Sequence, residues 1–320
     1  MTRRACLVTL LGLLTPLWLF AGVVAGLGHP LLDRIAITLL INLTLVLGLQ
    51  TYMGNSGILS FAHLGFMAIG AYASALFSIP PAMKAMALPE LYPFLQSMQW
   101  PFLAVLGVGG SLAALVAALV GYPLMRVSEA AAVITSFALL VVIYTVTVHW
   151  SAVTNGPRTL FGIPPWTGLG TAVMVGSLAV VVACGFKESR IGLMLRASRD
   201  DPVAAAALGV HISWVRWLGL IVSALLAGLA GAVWAHFITS FSPAAFYLKE
   251  TFVILGMLVI GGPSTVTGAV VGTVVVTLSF EGLRTLENQI NLAQLLPGTL
   301  VGLTEVVLVI AMSSGSGAFS

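Results

Sequence analysis

Apolar residues fall in long blocks divided by short breaks that carry polar, proline or charged residues. Ten candidate spans follow from this pattern: residues 5–27, 35–51, 60–79, 101–122, 130–149, 170–186, 217–238, 250–260, 266–283 and 295–312. A bilayer core of about 30 Å needs an apolar helix of about 20 residues, with a lower bound near 17. Several of the blocks are shorter. Gly and polar residues between Gly54 and Ser60, and again between Gly261 and Thr267, sit at membrane depth. Irregular backbone is tolerated there only where protein or a water-filled cavity surrounds it, so broken or half-spanning helices are expected at both places. The expected fold is an all-α polytopic membrane protein with about ten transmembrane segments, some of them short or broken.

Composition agrees. Of 320 residues, 59% are hydrophobic and 7% charged, against about 25% charged in an average soluble domain, so a soluble fold is excluded. A net charge of +3 over this length is too weak for a nucleic-acid-binding surface, and the position of the charges is more informative than their sum. Arg3 and Arg4 precede the first block, which could be a secretory signal. Its length and the lack of a small-x-small cleavage site favour a first span with residue 1 in the cytoplasm. The cytoplasmic segments then hold Arg3, Arg4, Arg126, Lys187, Arg190, Arg196, Arg199 and Arg216, and the outer ones Arg34, Lys84, Arg158, Lys249 and Arg284, eight against five. Parity agrees with this charge bias, since six spans precede the basic segment 187–216. Trp100, Trp150 and Trp166 fall at expected outer boundaries, and Trp214 and Trp217 at an inner one. Cys6 and Cys184 have no metal-type spacing and both lie near the cytoplasmic side, so they are expected to be reduced packing residues.

Span seven carries two small-residue stripes at helical spacing, Ala224, Gly228 and Ala232 beside Ala227, Gly231 and Ala235. Gly268 and Gly272 repeat the device in span nine. Such stripes let helix backbones approach closely. None of the three lysines, Lys84, Lys187 and Lys249, follows a glycine, so there is no Gly-Lys phosphate loop and the chain cannot itself be an ATPase. His29, His63, His149, His211 and His236 lack zinc-protease spacing, there is no C-x-x-C, and no G-x-S-x-G elbow occurs. No catalytic residue, metal ligand or cofactor is assigned to this chain, and an enzyme is not expected.

Residues 187–216 form the one long polar stretch on the expected cytoplasmic side. Within it Asp201 is a natural N-cap, Pro202 fits the first helical position, Val203–Leu208 are helix formers and Gly209 can close the helix. Two turns are too short to stand alone, so this helix must dock either on its own membrane domain or on a partner.

Three motifs resemble the Liv-M-type permease subunits of branched-chain amino-acid and related ABC importers. They are GILSFAHLGFMAIGAY from Gly57 to Tyr72, the pair LRASRDDPVAAAALGV and SALLAGLAGAVWAH, and GGPSTVTGAVVGT from Gly261 to Thr273. The second is the most specific, and the similarity extends over most of the chain from span two onward. The resemblance implies one permease domain over residues 1–320, multi-pass in the bacterial cytoplasmic (inner) membrane with both termini inside. Its implied partners are a second, Liv-H-type permease subunit, two ATPase subunits that hold ATP and Mg, and an extracytoplasmic substrate-binding protein. Arg196, Arg199, Asp200, Asp201, Pro202, Ala206, Leu208 and Gly209 would then contact the ATPase. Branched-chain amino acids lead as cargo by this resemblance, with other amino acids, amides or urea behind them.

Candidate lining of a translocation path is Asn55, Ser56, Ser60 and His63 with Gly261, Gly262, Ser264 and Thr265, where broken backbone is expected to meet the membrane midplane. Helix-end capping accounts equally well for any one of these residues. The competing function is an ion- or proton-coupled secondary transporter or channel, which needs ionisable groups at membrane depth. His63, His236 and Glu305 are the few available; for Glu305 a protonated or hydrogen-bonded helix contact leads, ahead of an ionic partner in a second permease subunit and a group lining the path.

Overall fold

The computed structural model describes residues 3–289, with side chains described over residues 8–284. Its elements are α1 (Arg3–Leu27), α2 (Pro30–Leu49), α3 (His63–Ser78), α4 (Pro81–Ala87), α5 (Pro93–Gln96), α6 (Phe102–Leu124) and α7 (Glu129–His149). There follow α8 (Ser151–Thr154), α9 (Leu169–Glu188), α10 (Arg190–Asp200), α11 (Pro202–Ala207), α12 (Ile212–Ile238), α13 (Leu248–Gly261) and α14 (Val266–Gln289). Among the described residues there is no strand, only an isolated bridge between Leu160 and Phe241. The protein is an all-α polytopic membrane protein.

Nine of the ten expected spans coincide with a helix, and eight helices or helix pairs are long and apolar enough to cross a bilayer. The ninth, α3, has 16 residues and is the short piece expected after the first break. The tenth block, 295–312, with Glu305, lies outside the described residues. Two boundaries differ from the apolar pattern. Helix α2 starts at Pro30 rather than at residue 35, because proline suits a first helical turn and Asp33 there faces the positive end of the helix dipole. Helix α12 starts at Ile212, so Trp214 and Arg216 belong to a transmembrane helix and not to the preceding loop.

Helices α12 and α2 are the most buried of the long helices. The small-residue stripes explain how so many neighbours reach α12. A Cβ placed on Gly231 would lie 2.0 Å from the carbonyl oxygen of Met67, one on Gly70 would lie 2.1 Å from that of Gly228, and one on Gly228 would lie 2.6 Å from that of Gly109. Helices α3, α6 and α12 therefore touch backbone to backbone, which is how helices associate where lipid removes the hydrophobic driving force. The same holds for α13 against α14, where Gly261 faces the carbonyl of Gly268 and Gly272 faces that of Met257.

Candidate functional site

The polar segment 187–216 folds as a helical hairpin rather than a loop. Ser189 caps α10 by accepting from the Gly192 amide at 3.1 Å. At the next junction Asp201 adopts extended backbone, and its carboxylate accepts from the amides of Val203 at 2.9 Å and Ala204 at 3.0 Å. Helix α11 closes with Gly209 N–H donating to Ala206 and Val210 N–H to Ala205, at 2.9 and 3.1 Å, which is a Schellman motif. Gly209 has φ +84°, the left-handed region that suits glycine. Of the six α11 residues only Ala205 is buried. Val203 is 78% exposed and Leu208, just after the helix, 84%, and Pro202 and Ala206 are exposed as well.

Helix α10 binds this hairpin to the membrane bundle. Arg199 lays its aliphatic stem over Gly57, where a Cβ would lie 2.7 Å from Arg199 Cγ, and Gly57 has φ +74°. Its Nη1 donates to the Gly54 carbonyl at 2.9 Å, while Nε and Nη2 donate to Asp200 Oδ1. Asp200 is exposed and Arg196 half-buried. Leu195 packs with Phe186 and Val215, joining α10 to the ends of α9 and α12.

The first break begins where α2 widens into a π turn, Gln50–Gly54. Such turns free backbone groups and recur at functional positions. Asn55 Nδ2 reaches the Thr51 carbonyl at 2.9 Å, and Gln50 Nε2 lies 3.4 Å from the Pro263 carbonyl. His63 opens α3, its Nε2 paired with Ser223 Oγ, which itself donates to the Gly48 carbonyl at 2.6 Å. Asn55, Ser56, Ser60 and His63 are all at most 2% exposed. Gln50 Oε1, Asn55 Oδ1, Ser60 Oγ and His63 Nδ1 are buried without a partner among the described residues. Four such atoms within fourteen residues make this the most underbonded stretch described, and buried polar groups are ordinarily paired. Ser60 also lines a cavity of about 10 Å³ with Tyr52 and Ser136, at the lower limit for one water.

The second break has a different setting from the expected one. Gly261 ends α13, Gly262 has φ +92°, and Ser264 and Thr265 are exposed. Lys187 Nζ, at the end of α9, donates to the Ser264 carbonyl at 2.8 Å. Thr265 lines a hollow of about 210 Å³ with Lys187 and Glu188, and a Cβ on Gly54 would lie 2.1 Å from the Pro263 carbonyl. The break therefore lies at the end of the bundle that carries the polar hairpin, not at mid-depth. Residues 54 and 263 meet, but Asn55, Ser56, Ser60 and His63 are packed inside the subunit rather than lining an open channel within it.

Sequence reasoning missed Gln50, Ser223, and the ties made by Lys187 and Arg216. Arg216 Nη2 donates to Glu129 Oε1 at 2.5 Å, with side-chain exposures of 7% and 59%. Gln50 was visible as an amide at the end of an apolar block. Ser223 sits among alanines and leucines with nothing in its neighbourhood to mark it. Among the described residues no group of three or more His, Cys, Asp or Glu could hold a metal.

Residues 31–304 match the family of the branched-chain amino acid transport system / permease component. The chain is 24% identical over 284 residues to the high-affinity branched-chain amino acid transport system permease proteins LivM of Escherichia coli and Salmonella typhimurium. These alignments cover 78% of this chain and 63% of each relative, so the chain spans under two thirds of their length. It is also 28% identical over 139 residues to the nucleoside ABC transporter permease protein NupC of Lactococcus lactis, covering 42% of this chain and 43% of that protein. No solved structure matches the chain.

Proposed function

The chain belongs to the branched-chain amino acid transport system permease family, and from this premise we propose that it is the translocating subunit of a binding-protein-dependent ABC importer. Its cargo on this reading is a branched-chain amino acid. The observation that carries the proposal is α11, a two-turn helix capped at both ends that presents Val203 and Leu208 outward from a polar segment. Exposed apolar side chains fixed on a short capped helix suit insertion into a partner's cleft. Through Arg199 the neighbouring α10 holds the Gly54 carbonyl, so a push on the hairpin bears on the π turn that ends α2.

On this reading ATP and Mg are held by two ATPase subunits, a second permease subunit completes the path, and a binding protein delivers substrate to the opposite face. Residues 187–216 and both termini are cytoplasmic, in the bacterial inner membrane. The loops 80–100 and 150–169 face outward. The underbonded row from Gln50 to His63 is the polar material nearest the path, reached only when the two permease subunits and their helices rearrange. A nucleoside is the second reading for the cargo, supported by the similarity to NupC.

Reconstitution with the ATPase subunits and the cognate binding protein tests the assignment, comparing uptake of leucine and of a nucleoside with and without ATP. ATP-dependent uptake that needs the binding protein is expected. Uptake by this chain alone, driven by an ion gradient, would instead establish the secondary transporter. Maleimide labelling of Arg158→Cys from the outside checks the orientation, and labelling confined to the cytoplasmic side would invert it.

A further inference from the structure

Between α8 and α9 the chain runs without regular structure over residues 161–168. This strap lies on the end of α12 opposite the polar hairpin and is held there at three points. Leu160 and Phe241, just beyond α12, exchange backbone hydrogen bonds of 2.8 and 3.0 Å. Thr167 Oγ1 donates to the Val233 carbonyl at 2.9 Å. The Trp166 indole stacks on His236, with ring centroids 5.5 Å apart and planes 6° from parallel. Gly162 of the strap also meets α4, where a Cβ added to it would lie 3.3 Å from Met83. Helix α4 is itself pinned, because Lys84 is buried and donates to the carbonyls of Leu95, at 3.1 Å, and Met98. Arg158, Phe161 and Pro165 are exposed.

His236 sits fully buried under this strap, less than one turn from the end of α12. Its Nδ1 donates to the Ala232 carbonyl at 2.8 Å, so Nε2 is the bare acceptor of the ring. That nitrogen is buried without a partner among the described residues. Phe102, the first residue of α6, closes the pocket edge-on to the histidine and tryptophan rings, at 5.4 and 5.8 Å. Burying an acceptor with no donor opposes closure. Three residues on, Thr239 ends the helix at φ +64°, in the left-handed region that a β-branched residue rarely adopts. The stack and the Thr167 bond therefore close the strap, while the dry Nε2 and the strained Thr239 oppose it. Lifting the strap gives Nε2 access to water, so a contact balanced in this way releases under a modest load.

Helix α12 runs unbroken by proline for 27 residues, about 40 Å, and only residues 208–211 separate its far end from α11. One continuous helix thus joins the strap to the proposed ATPase contact. From the latched strap and the unpartnered nitrogen beneath it we infer that Trp166 and His236 are positioning residues of transport. They hold the strap on α12, and a loaded binding protein seated on Arg158, Phe161 and Pro165 releases it, so that docking acts through α12 on the hairpin at its other end. This inference rests on the importer reading above. A strap that served packing alone would be better closed by phenylalanine at position 236, which fills the same space and leaves no acceptor dry.

The test uses the complete importer in nanodiscs, with its ATPase subunits and binding protein. His236→Phe keeps the stack and deletes the unpartnered nitrogen, while the Ala232 carbonyl retains the partner that α12 itself supplies. Trp166→Ala deletes the stack, and Thr167→Val removes one hydrogen bond at nearly constant shape. Hydrogen exchange over residues 157–168 is expected to slow about tenfold in His236→Phe, equivalent to about 1.4 kcal/mol, and to quicken in the other two. The concentration of loaded binding protein that gives half-maximal ATP hydrolysis is expected to rise several-fold in His236→Phe and to fall in Trp166→Ala and Thr167→Val. Shifts of the same sign in His236→Phe and Thr167→Val, the result that plain packing gives, would overturn the latch. Exchange shifted as expected with the half-maximal concentrations unchanged would overturn its action through α12. A wild type whose ATP hydrolysis ignores the binding protein would strike the importer reading and the role in transport together, while hydrogen exchange still decides the latch by itself.

Discussion

Arg216 and Glu129 tie the first turn of α12 to the first turn of α7, and the consequence of cutting this tie can be worked out from their unequal burial. The guanidinium is 7% exposed and the carboxylate 59%. An exposed ion pair contributes about 0–1 kcal/mol, whereas removing one partner of a buried pair costs about 3–5 kcal/mol because a charge is left stranded. Glu129→Gln strands the buried member. Nη2 can still reach the amide oxygen, so part of the bond survives, and Arg216 Nε is without a partner among the described residues. A cost of about 2 kcal/mol follows, in the range for a hydrogen bond to a charged group, and equals a ~30-fold change in the folding equilibrium at about 1.4 kcal/mol per tenfold. Arg216→Met removes the stranded charge itself, so Glu129→Gln added to it is expected to cost almost nothing further.

Unfolding in mixed micelles, run as a double-mutant cycle, reads this coupling. Uptake adds a second readout, because α12 begins three residues after Gly209 and α7 meets the rest of the subunit over little surface. The Glu129 end of α7 is expected to loosen in Glu129→Gln, lowering uptake more than ATP hydrolysis. Strictly additive single and double variants, or wild-type stability in Glu129→Gln, would refute the reasoning.

Further perturbations fall on the hairpin, the loop 80–100 and the glycine contact. Asp201→Ala removes two amide partners and is expected to cost about 1 kcal/mol locally, while Gly209→Val forces a β-branched residue to φ +84° and is expected to abolish substrate-stimulated ATP hydrolysis with the complex still assembled. Lys84→Met leaves two carbonyls without their donor, at about 1–3 kcal/mol each if they stay dry, and faster hydrogen exchange over residues 92–98 would register it. Burial pushes the Lys84 ammonium below the ordinary lysine range. The protonated form therefore opposes folding, and raising the pH from about 7 towards about 10 is expected to increase protection of this loop in the wild type and not in Lys84→Met. Gly231→Leu drives a side chain into the Met67 carbonyl, 2.0 Å from the first added carbon, and is expected to abolish accumulation in the membrane.

The helices were legible because each apolar block is long and its breaks are chemically distinct. Asp201, Pro202 and Gly209 were legible for the same reason, since caps act over three or four residues and leave a local signature. The positions of the breaks were also legible, from Gly54 and Gly261. Their depth was not, because depth depends on which helices cross, and the crossing is set by backbone contacts such as Gly70 with Gly228. Ser223 illustrates the limit: its partners His63 and Gly48 lie 160 and 175 residues away, and no local pattern encodes such a pairing. Glu305 lies outside the described residues, so its expected role as a neutral helix contact rests on its sequence position alone.

The basic residues of the polar hairpin read in the sequence as an orientation signal, yet three of them are committed to specific acceptors. Lys187 holds the Ser264 carbonyl, Arg199 the Gly54 carbonyl, and Arg216 the Glu129 carboxylate. Two of these acceptors are main-chain oxygens at the breaks after α2 and α13, where helix ends leave carbonyls unpaired and carry partial negative charge. Lys187 and Arg199 therefore each satisfy a carbonyl that a broken helix exposes, while Arg216 pairs with a side chain. Helix α11 has one buried residue and little grip of its own, so any force applied to it passes through α10 and the start of α12 before reaching the bundle. Arg199 ties α10 to the π turn after α2, and Arg216 ties the start of α12 to α7. In the proposed importer this fixes where coupling must be sought: the shorter, neutral Gln at position 199 loses the hold on the Gly54 carbonyl, so Arg199→Gln is expected to slow uptake while leaving ATPase binding intact. Unchanged uptake in that variant would move the coupling to the apolar contact of Leu195 with Phe186 and Val215.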